Sequence, residues 1–541
     1  MKKRIFAFLL TTALCAAAFA GCGNGGATSS ESSKEDSTPA SSTGSTVTAE
    51  KDPYGADFAS YPLDGSETLS FYVLAGYTAP DGVDLADNEW QKGLPERTGI
   101  NINWETAPAG SDVNQAFNLM IAGNDLPDIF YYWGLTGQAT QLIEDGKIIS
   151  LNDYIETYAP AYYKFVTSDK TMDNSVKNDN GDYYGFAFLR EDLFLGTYAG
   201  PAIRKDVLDK VGKEVPTTMD EWTDVLTAMK DTVKYPFSSR YGISDLFTPF
   251  AGAFKTTNNY YVEDGKVHFG YAEAGMKDFL AKMNEWYEAG LIDPDFLSND
   301  AAALETKILN GEVGGILTTG GTLAGYVTKL NEINSADQWV ATPYPTQNKG
   351  ETPWYIQGET PNIGIVGAIT TACKNVPLAC RFFDYGYTEE GAIYYNFGKE
   401  DNYTMVDGQP AFTDEFNNDP RGAYTMMQTY TAMSGNAPTL NLMAQFNSKP
   451  QVQKDAVNVW YTKDGLTHLM PGALTMTTEE SSSIATEATA IDAQVNEMIT
   501  KFIVGQESLD NWDSFVANLN SMGLEHVLEV RQAAYDRFLA R

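Results

Sequence analysis

Residue types able to do chemistry are plentiful in this 541-residue chain, but few sit at a spacing that specifies a reaction. The three histidines, His268, His468 and His526, are far apart, which argues against a His-rich metal centre. Asn178-Asp-Asn-Gly-Asp182 carries oxygen ligands suited to Ca²⁺, yet the EF-hand spacing and its terminal Glu are missing. The following Tyr-Tyr-Gly reads instead as a hairpin turn. Gly314-Gly-Ile-Leu-Thr-Thr-Gly-Gly321 has neither the Lys-Ser/Thr of a P-loop nor GxGxxG spacing, so we expect it to let the backbone approach a ligand or a neighbouring lobe. Paired carboxylates such as Asp293 and Asp295 could do glycosidic acid–base work, but Pro294 between them marks a turn, and 72 acidic residues make any one pair uninformative. The aromatic residues say more: 31 Tyr, 27 Phe and 9 Trp can stack on the C–H faces of sugars, with carboxylate, amide and guanidinium groups for the hydroxyls. Tyr77 follows the first expected strand, and Tyr132 and Trp133 end the strand after Leu126-Pro-Asp128, so all three stand at strand ends, where α/β sheets meet their ligands. Phe254 and Trp460 lie in segments without a clear placement, and Trp222 and Trp286 fit helix-core periodicity.

The elements that must position these rings alternate. Leu69-Ser-Phe-Tyr-Val-Leu-Ala75 and Asp128-Ile-Phe-Tyr-Tyr-Trp133 read as strands, separated by the apolar stripe of Val113, Ala116, Phe117, Met120 and Ile121. Capping boxes at Thr218–Glu221 and Thr477–Glu480 start two more helices, the second with a stripe from Ile484 to Ile503 ending at Gly505. Glu263-Asp-Gly265 is a hairpin turn by composition. Such alternation predicts an α/β fold with mainly parallel sheets, and about 480 residues exceed what one core supports, so at least two lobes are expected.

The net charge of −35 disfavours nucleic acid and anionic lipid as partners. Met1-Lys-Lys-Arg4 followed by an apolar run to Ala20 reads as a secretory signal, too short to span a bilayer as a helix. Phe19-Ala-Gly-Cys22 looks like a lipobox, with Cys22 the acylated residue. Residues 23–50 hold eight Ser, five Thr and four Gly, the composition of a flexible tether reaching about 30 Å. We therefore expect a signal peptide over 1–21 and a lipidated Cys and tether over 22–60. An extracellular setting permits a Cys373–Cys380 disulfide, and two small apolar residues beside a helix start are an equal alternative.

Several segments, in order, resemble the extracellular solute-binding proteins of ABC transporters, family 1 (the carbohydrate-type group), and within it the LipO-type lipoproteins of Gram-positive bacteria. They include Thr98-Gly-Ile-Asn-Ile-Asn-Trp104, Ala122-Gly-Asn-Asp-Leu-Pro-Asp-Ile129, Ile203–Gly212, Pro216–Trp222, Trp286–Phe296, Phe382–Gly391 and Gly523–Arg537. The resemblance implies a periplasmic-binding-protein-like (class II) two-lobed clamshell, with chain crossings near 184–195 and 357–369. Lobe 1 would comprise 61–190 plus about 365–400, and lobe 2 191–360 plus about 401–541, the C-terminal helices partly shared. It implies a monomeric, surface-anchored protein that captures an oligosaccharide between the lobes and delivers it to an ABC permease, with no cofactor, metal or catalytic residue. The resemblance adds Trp354 and Tyr355, just before the second crossing, and Tyr198 and Arg204, after the first, to the candidate ligand residues. A salt bridge from Arg204 to Asp206 is the competing reading. A peptide or polyamine-like cargo, or a surface glycoside hydrolase, are the alternatives in function.

Overall fold

A computed structural model describes residues 60–74, 83–108, 111–123, 125–432 and 437–541, all within one compact unit, Pro53–Arg541. The signal peptide, Cys22, most of the tether and Tyr77 lie outside the described residues.

The strands are β1 (Thr68–Val73), β2 (Asn101–Thr106), β3 (Ile129–Tyr131), β4 (Phe186–Arg190), β5 (Ala199–Arg204), β6 (Tyr235–Ser238), β7 (Tyr260–Glu263), β8 (Lys266–Phe269), β9 (Val313–Thr319), β10 (Trp339–Ala341), β11 (Asn362–Ile369), β12 (Tyr403–Val406), β13 (Gln409–Phe412) and β14 (Leu440–Asn441). They build a six-stranded sheet, β14-β4-β11-β3-β1-β2, and a four-stranded sheet, β10-β5-β9-β6. β7 and β8 form a hairpin whose turn residues Asp264 and Gly265 have φ of 50° and 76°, as the turn composition required.

Each sheet has its own core, the basis of the two-lobed fold. Around the six-stranded sheet Phe71, Trp90, Phe117, Phe130, Tyr162, Phe186 and Phe383 interlock. One face of the four-stranded sheet packs Trp222, Phe237, Phe250, Phe279 and Trp286, and the other Ile316, Leu323, Val457 and Trp460. The helix Met219–Met229 shows why: Met219, Trp222, Leu226 and Met229 recur every three or four residues and are all buried. Trp222 meets Phe250 edge-on at 5.2 Å, and the Trp286 indole N–H donates to Thr223 Oγ1 at 2.9 Å. Trp460, unplaced by sequence, is core, its indole N–H donating to the Pro201 carbonyl at 3.0 Å; Phe254 packs at the edge of the core holding Phe279.

Both sheets are mainly parallel, as expected, with one counter-running strand each: five of six and three of four strands share a direction. β1–β2, β1–β3 and β6–β9 are parallel βα-type pairs, but β11 and β5 run antiparallel to both neighbours. These two strands adjoin the crossings, so no helical crossover dictates their direction. The Gly314–Gly321 run is corrected: Gly314 and Gly315 lie in β9 against Pro236, Phe237 and Trp222 of the same lobe.

Candidate ligand-binding cleft

Two segments passing between the sheets lie side by side. β4 ends at Arg190 and the chain reaches β5 at Ala199, while Gln357–Pro361 leads back into β11. The Glu359 N–H donates to the Gly196 carbonyl at 3.2 Å, and Arg190 N–H to the Pro361 carbonyl at 2.8 Å. A Cβ on Gly196 would stand 2.2 Å from Glu359 O, so only glycine permits this approach. A third passage follows β14, where the Met443 N–H donates to Glu191 Oε2 at 2.6 Å.

Strand direction then defines which residues look into the space between the sheets. β3 and β4 both end toward the crossings, and β11 and β5 begin there. Trp133, two residues past β3, is 44% exposed; its ring lies 6.0 Å from Phe188 and edge-on to Tyr131. On the other side Tyr198 is exposed, and Gln357 Oε1 accepts the N–H groups of Tyr198 and Ala199 at 3.1 and 3.0 Å. Burial raises the Tyr198 phenol above its usual value, helped by the neighbouring Glu359 carboxylate. Arg190 pairs with Glu359 at the join. Two small cavities, about 220 and 250 Å³, share Tyr355, Gly358 and Glu359 as walls; Tyr198 and Gln357 line the first, Tyr260 and Ile363 the second. The site thus offers open ring faces beside amide, carboxylate and guanidinium groups.

Of the predicted residues, Trp133, Tyr198 and Tyr355 are at or beside the crossings. Tyr132 is a correction: only 4% exposed, it stacks on Phe117 at 4.1 Å and donates its hydroxyl to Asn114 Oδ1 at 2.6 Å, because alternation along the chain turns it inward while Trp133 turns out. Arg204 is also corrected. It lies at the far end of β5, about 20 Å of strand from Tyr198, and its guanidinium is held by Asp206 at 2.7 and 2.8 Å and Asp337 at 2.6 Å. Burial alone would raise the Asp206 carboxyl, but these bonds outweigh it and hold it at about 2. The Trp354 ring lies 6.3 Å from that of Tyr355 but lines a different cavity. It packs on His468 at 4.1 Å, donates to Glu263 at 3.3 Å and borders a separate cavity of about 410 Å³ with Lys255 and Asp464. Sequence reasoning missed Phe188, Arg190, Gln357 and Glu359; their signal was position immediately beside the two crossings.

A larger groove, about 640 Å³, runs between the helix Val113–Ala122 and β1, lined by Ser70, Tyr72, Glu105 and Leu119 of one lobe only. All its walls come from that one lobe, so it does not displace the crossing region, where both lobes meet, as the candidate site. Among the described residues no His, Cys, Asp or Glu cluster could hold a metal ion, and no helix is long and apolar enough to cross a membrane. In the Asn178–Asp182 turn, Asn178 Oδ1 accepts the N–H groups of Asn180 and Asp182, and Asp182 Oδ1 accepts from Ser150. Cys373 and Cys380 are free, buried thiols, which overturns the possible disulfide.

Comparison with known proteins agrees with this geometry. Residues 84–393 match the family model for bacterial extracellular solute-binding proteins. The fructooligosaccharide ABC transporter substrate-binding protein FusA of Streptococcus pneumoniae is 23% identical over 534 residues, covering 92% of this chain and 95% of the relative. The lipoprotein LipO of Bacillus subtilis is 25% identical over 335 residues, covering 59% and 64%. Among solved structures, the alginate-binding protein AlgQ2 superposes with a TM-score of 0.69 at 21% identity, covering 88% of this chain and 99% of that one. With a family match across more than half its length, the chain belongs to the bacterial extracellular solute-binding proteins.

Proposed function

We propose that the protein is the capture component of an ABC importer and binds an oligosaccharide between its lobes at the crossing segments. The observation carrying this is the exposed Trp133 ring, tilted beside Phe188 at 6.0 Å, with Tyr198, Gln357 and the Arg190–Glu359 pair close to the same crossings. An aromatic face takes the apolar side of a sugar ring, and the polar groups satisfy its hydroxyls, which would otherwise be buried unpaired. The relative FusA, named for fructooligosaccharide, supports the ligand class. Nothing in this arrangement requires bond making, so the role is carriage: ligand favours the closed state by its differential affinity, and a permease reads that state.

Lobe 1 would comprise residues 60–190 and 362–441, and lobe 2 residues 199–356 and 443–541. Signal cleavage before Cys22 and its acylation would anchor a monomer to the extracellular face of a Gram-positive membrane through the Ser/Thr/Gly tether. A thermal-shift screen of the purified protein against di- to tetrasaccharides, fructooligosaccharides included, tests the reading, since a ligand specific to the folded state raises the melting temperature. A saturable rise with at least one saccharide is expected. No rise with any saccharide, alongside a rise with short peptides, would overturn it.

A further inference from the structure

Strand polarity brings one more segment to the crossing end of the four-stranded sheet. β9 is antiparallel to β5, pairing Thr319 with Ala199, and β6 is parallel to β9, pairing Ser238 with Ile316. Ser239, Arg240 and Tyr241 therefore emerge at the same end as Tyr198, further from the crossings. Asp245 fixes this turn by accepting the N–H groups of Arg240 at 2.7 Å and Tyr241 at 3.2 Å through Oδ2. Tyr241 is left 62% exposed, with the Arg240 guanidinium 4.6 Å from its ring centroid.

Arg240 shares with Arg531, which lies 3.9 Å over the Tyr260 ring, the lack of an ion pair among the described residues, and Asp245 is the carboxylate that acts on the Arg240 charge. Arg97, Arg190, Arg204, Arg421, Arg537 and Arg541 each pair with an Asp or Glu. Among the described residues no ion pair reaches Arg240, and its buried Nε has no hydrogen-bond partner. Asp245 acts on this guanidinium at a distance but spends Oδ2 on the backbone N–H groups of the turn, so beside the open Tyr241 ring the guanidinium keeps donors for a ligand. A guanidinium fork matches a carboxylate bidentately, and the neighbouring ring offers a face to the sugar that carries it.

We infer that Arg240 and Tyr241 form a recognition corner for a sugar carboxylate, so that the captured oligosaccharide contains a uronate. The guanidinium role that Arg204 cannot fill, locked between Asp206 and Asp337, falls to Arg240. This inference rests on the saccharide reading above and narrows its ligand class.

The test is calorimetric titration of the wild-type protein and Arg240→Gln with oligouronates of two to four residues (galacturonate, mannuronate and glucuronate types), each beside its methyl ester. In the wild type at least one acid should bind ten-fold or more tightly than its ester. In Arg240→Gln that preference should fall within two-fold, through a larger loss of affinity for the acid than for its ester. Binding of neutral saccharides with no acid preferred over its ester, or a preference that survives Arg240→Gln, would overturn the inference and leave the saccharide reading standing. Failure of every saccharide to bind would overturn both. The wild-type acid-against-ester comparison is decisive even if the variant does not fold.

Discussion

Arg190 and Glu359 form an ion pair between the two segments that carry the chain from one lobe to the other. Arg190 is nearly buried and also donates to the Thr360 carbonyl at 3.3 Å, whereas Glu359 is about one-third exposed and lines both small cavities. The pair therefore sits where hinge and ligand meet. Solvent screening on the Glu359 side keeps its worth modest. A double-mutant cycle of Arg190→Gln and Glu359→Gln in chemical denaturation should give a coupling of about 1 kcal/mol. Strictly additive losses would show that the pair does not couple the segments.

A second, stronger junction lies beside the start of β11, where Asn362 Nδ2 donates to the Ser175 carbonyl at 2.8 Å. Asp179 receives Arg541, whose side chain is 1% exposed, and Arg537, and Arg541 also donates to the carbonyl of Lys177 at 2.7 Å and to Thr475 Oγ1 at 2.6 Å. These bonds tie the helix Leu524–Ala540, part of the four-stranded half, to the turn after the helix Lys170–Ser175 of the other. Asp179→Ala strands the buried Arg541 guanidinium, while Arg537 keeps Glu480, and should cost about 3 kcal/mol. A fall in melting temperature of several degrees is expected; an unchanged transition would contradict the role given to this junction.

Stability should also depend on pH through Asp384. Burial raises its carboxyl to about 7, only partly countered by the Tyr162 N–H at 2.9 Å and by Arg381. The folded protein holds a proton that the unfolded chain releases near its ordinary value of 3.8. This group's contribution is therefore full below about pH 4 and is lost as pH rises toward 7, by up to about 4 kcal/mol. Denaturation midpoints of Asp384→Asn across pH 4–8 should lack that decline relative to wild type. Parallel pH profiles for the two proteins would refute it.

Much of this architecture was legible in the sequence. The Thr477–Glu480 capping box appears with both reciprocal bonds, and the stripe Ile484, Ile491, Val495, Ile499 and Phe502 is buried as its period required. The site was less so. Trp133 and Tyr132 are neighbours, and only the register after β3 decides which one faces out. Arg204 followed the expected crossing in sequence, but six residues of extended strand carried it to the opposite end of the sheet. Arg240 gave no local signal, since its place depends on β6 pairing with β9, a contact between residues some 75 positions apart. Periodicity reports faces; it does not report which strand ends share a cleft.

The two cysteines give a simple check on the interior. Burial pushes the Cys373 thiol up to about 11 and raises Cys380 further, so neither supplies much thiolate at neutral pH. Protein lacking residues 1–22 should show no reaction with a thiol reagent until denatured, then two equivalents. A native protein already lacking two titratable thiols after denaturation would mean that they had bridged.

The most direct test of the central claim is a titration of Trp133→Ala beside wild type, using whichever oligosaccharide the thermal screen identifies. Because the Trp133 ring is 44% exposed and its ring neighbours Phe188 and Tyr131 both lie 6.0 Å away, its loss should leave the melting temperature within a few degrees. Affinity for the saccharide should fall roughly 10- to 100-fold, the scale of one lost stacking platform. Unchanged affinity in Trp133→Ala would contradict a ligand site at the crossings.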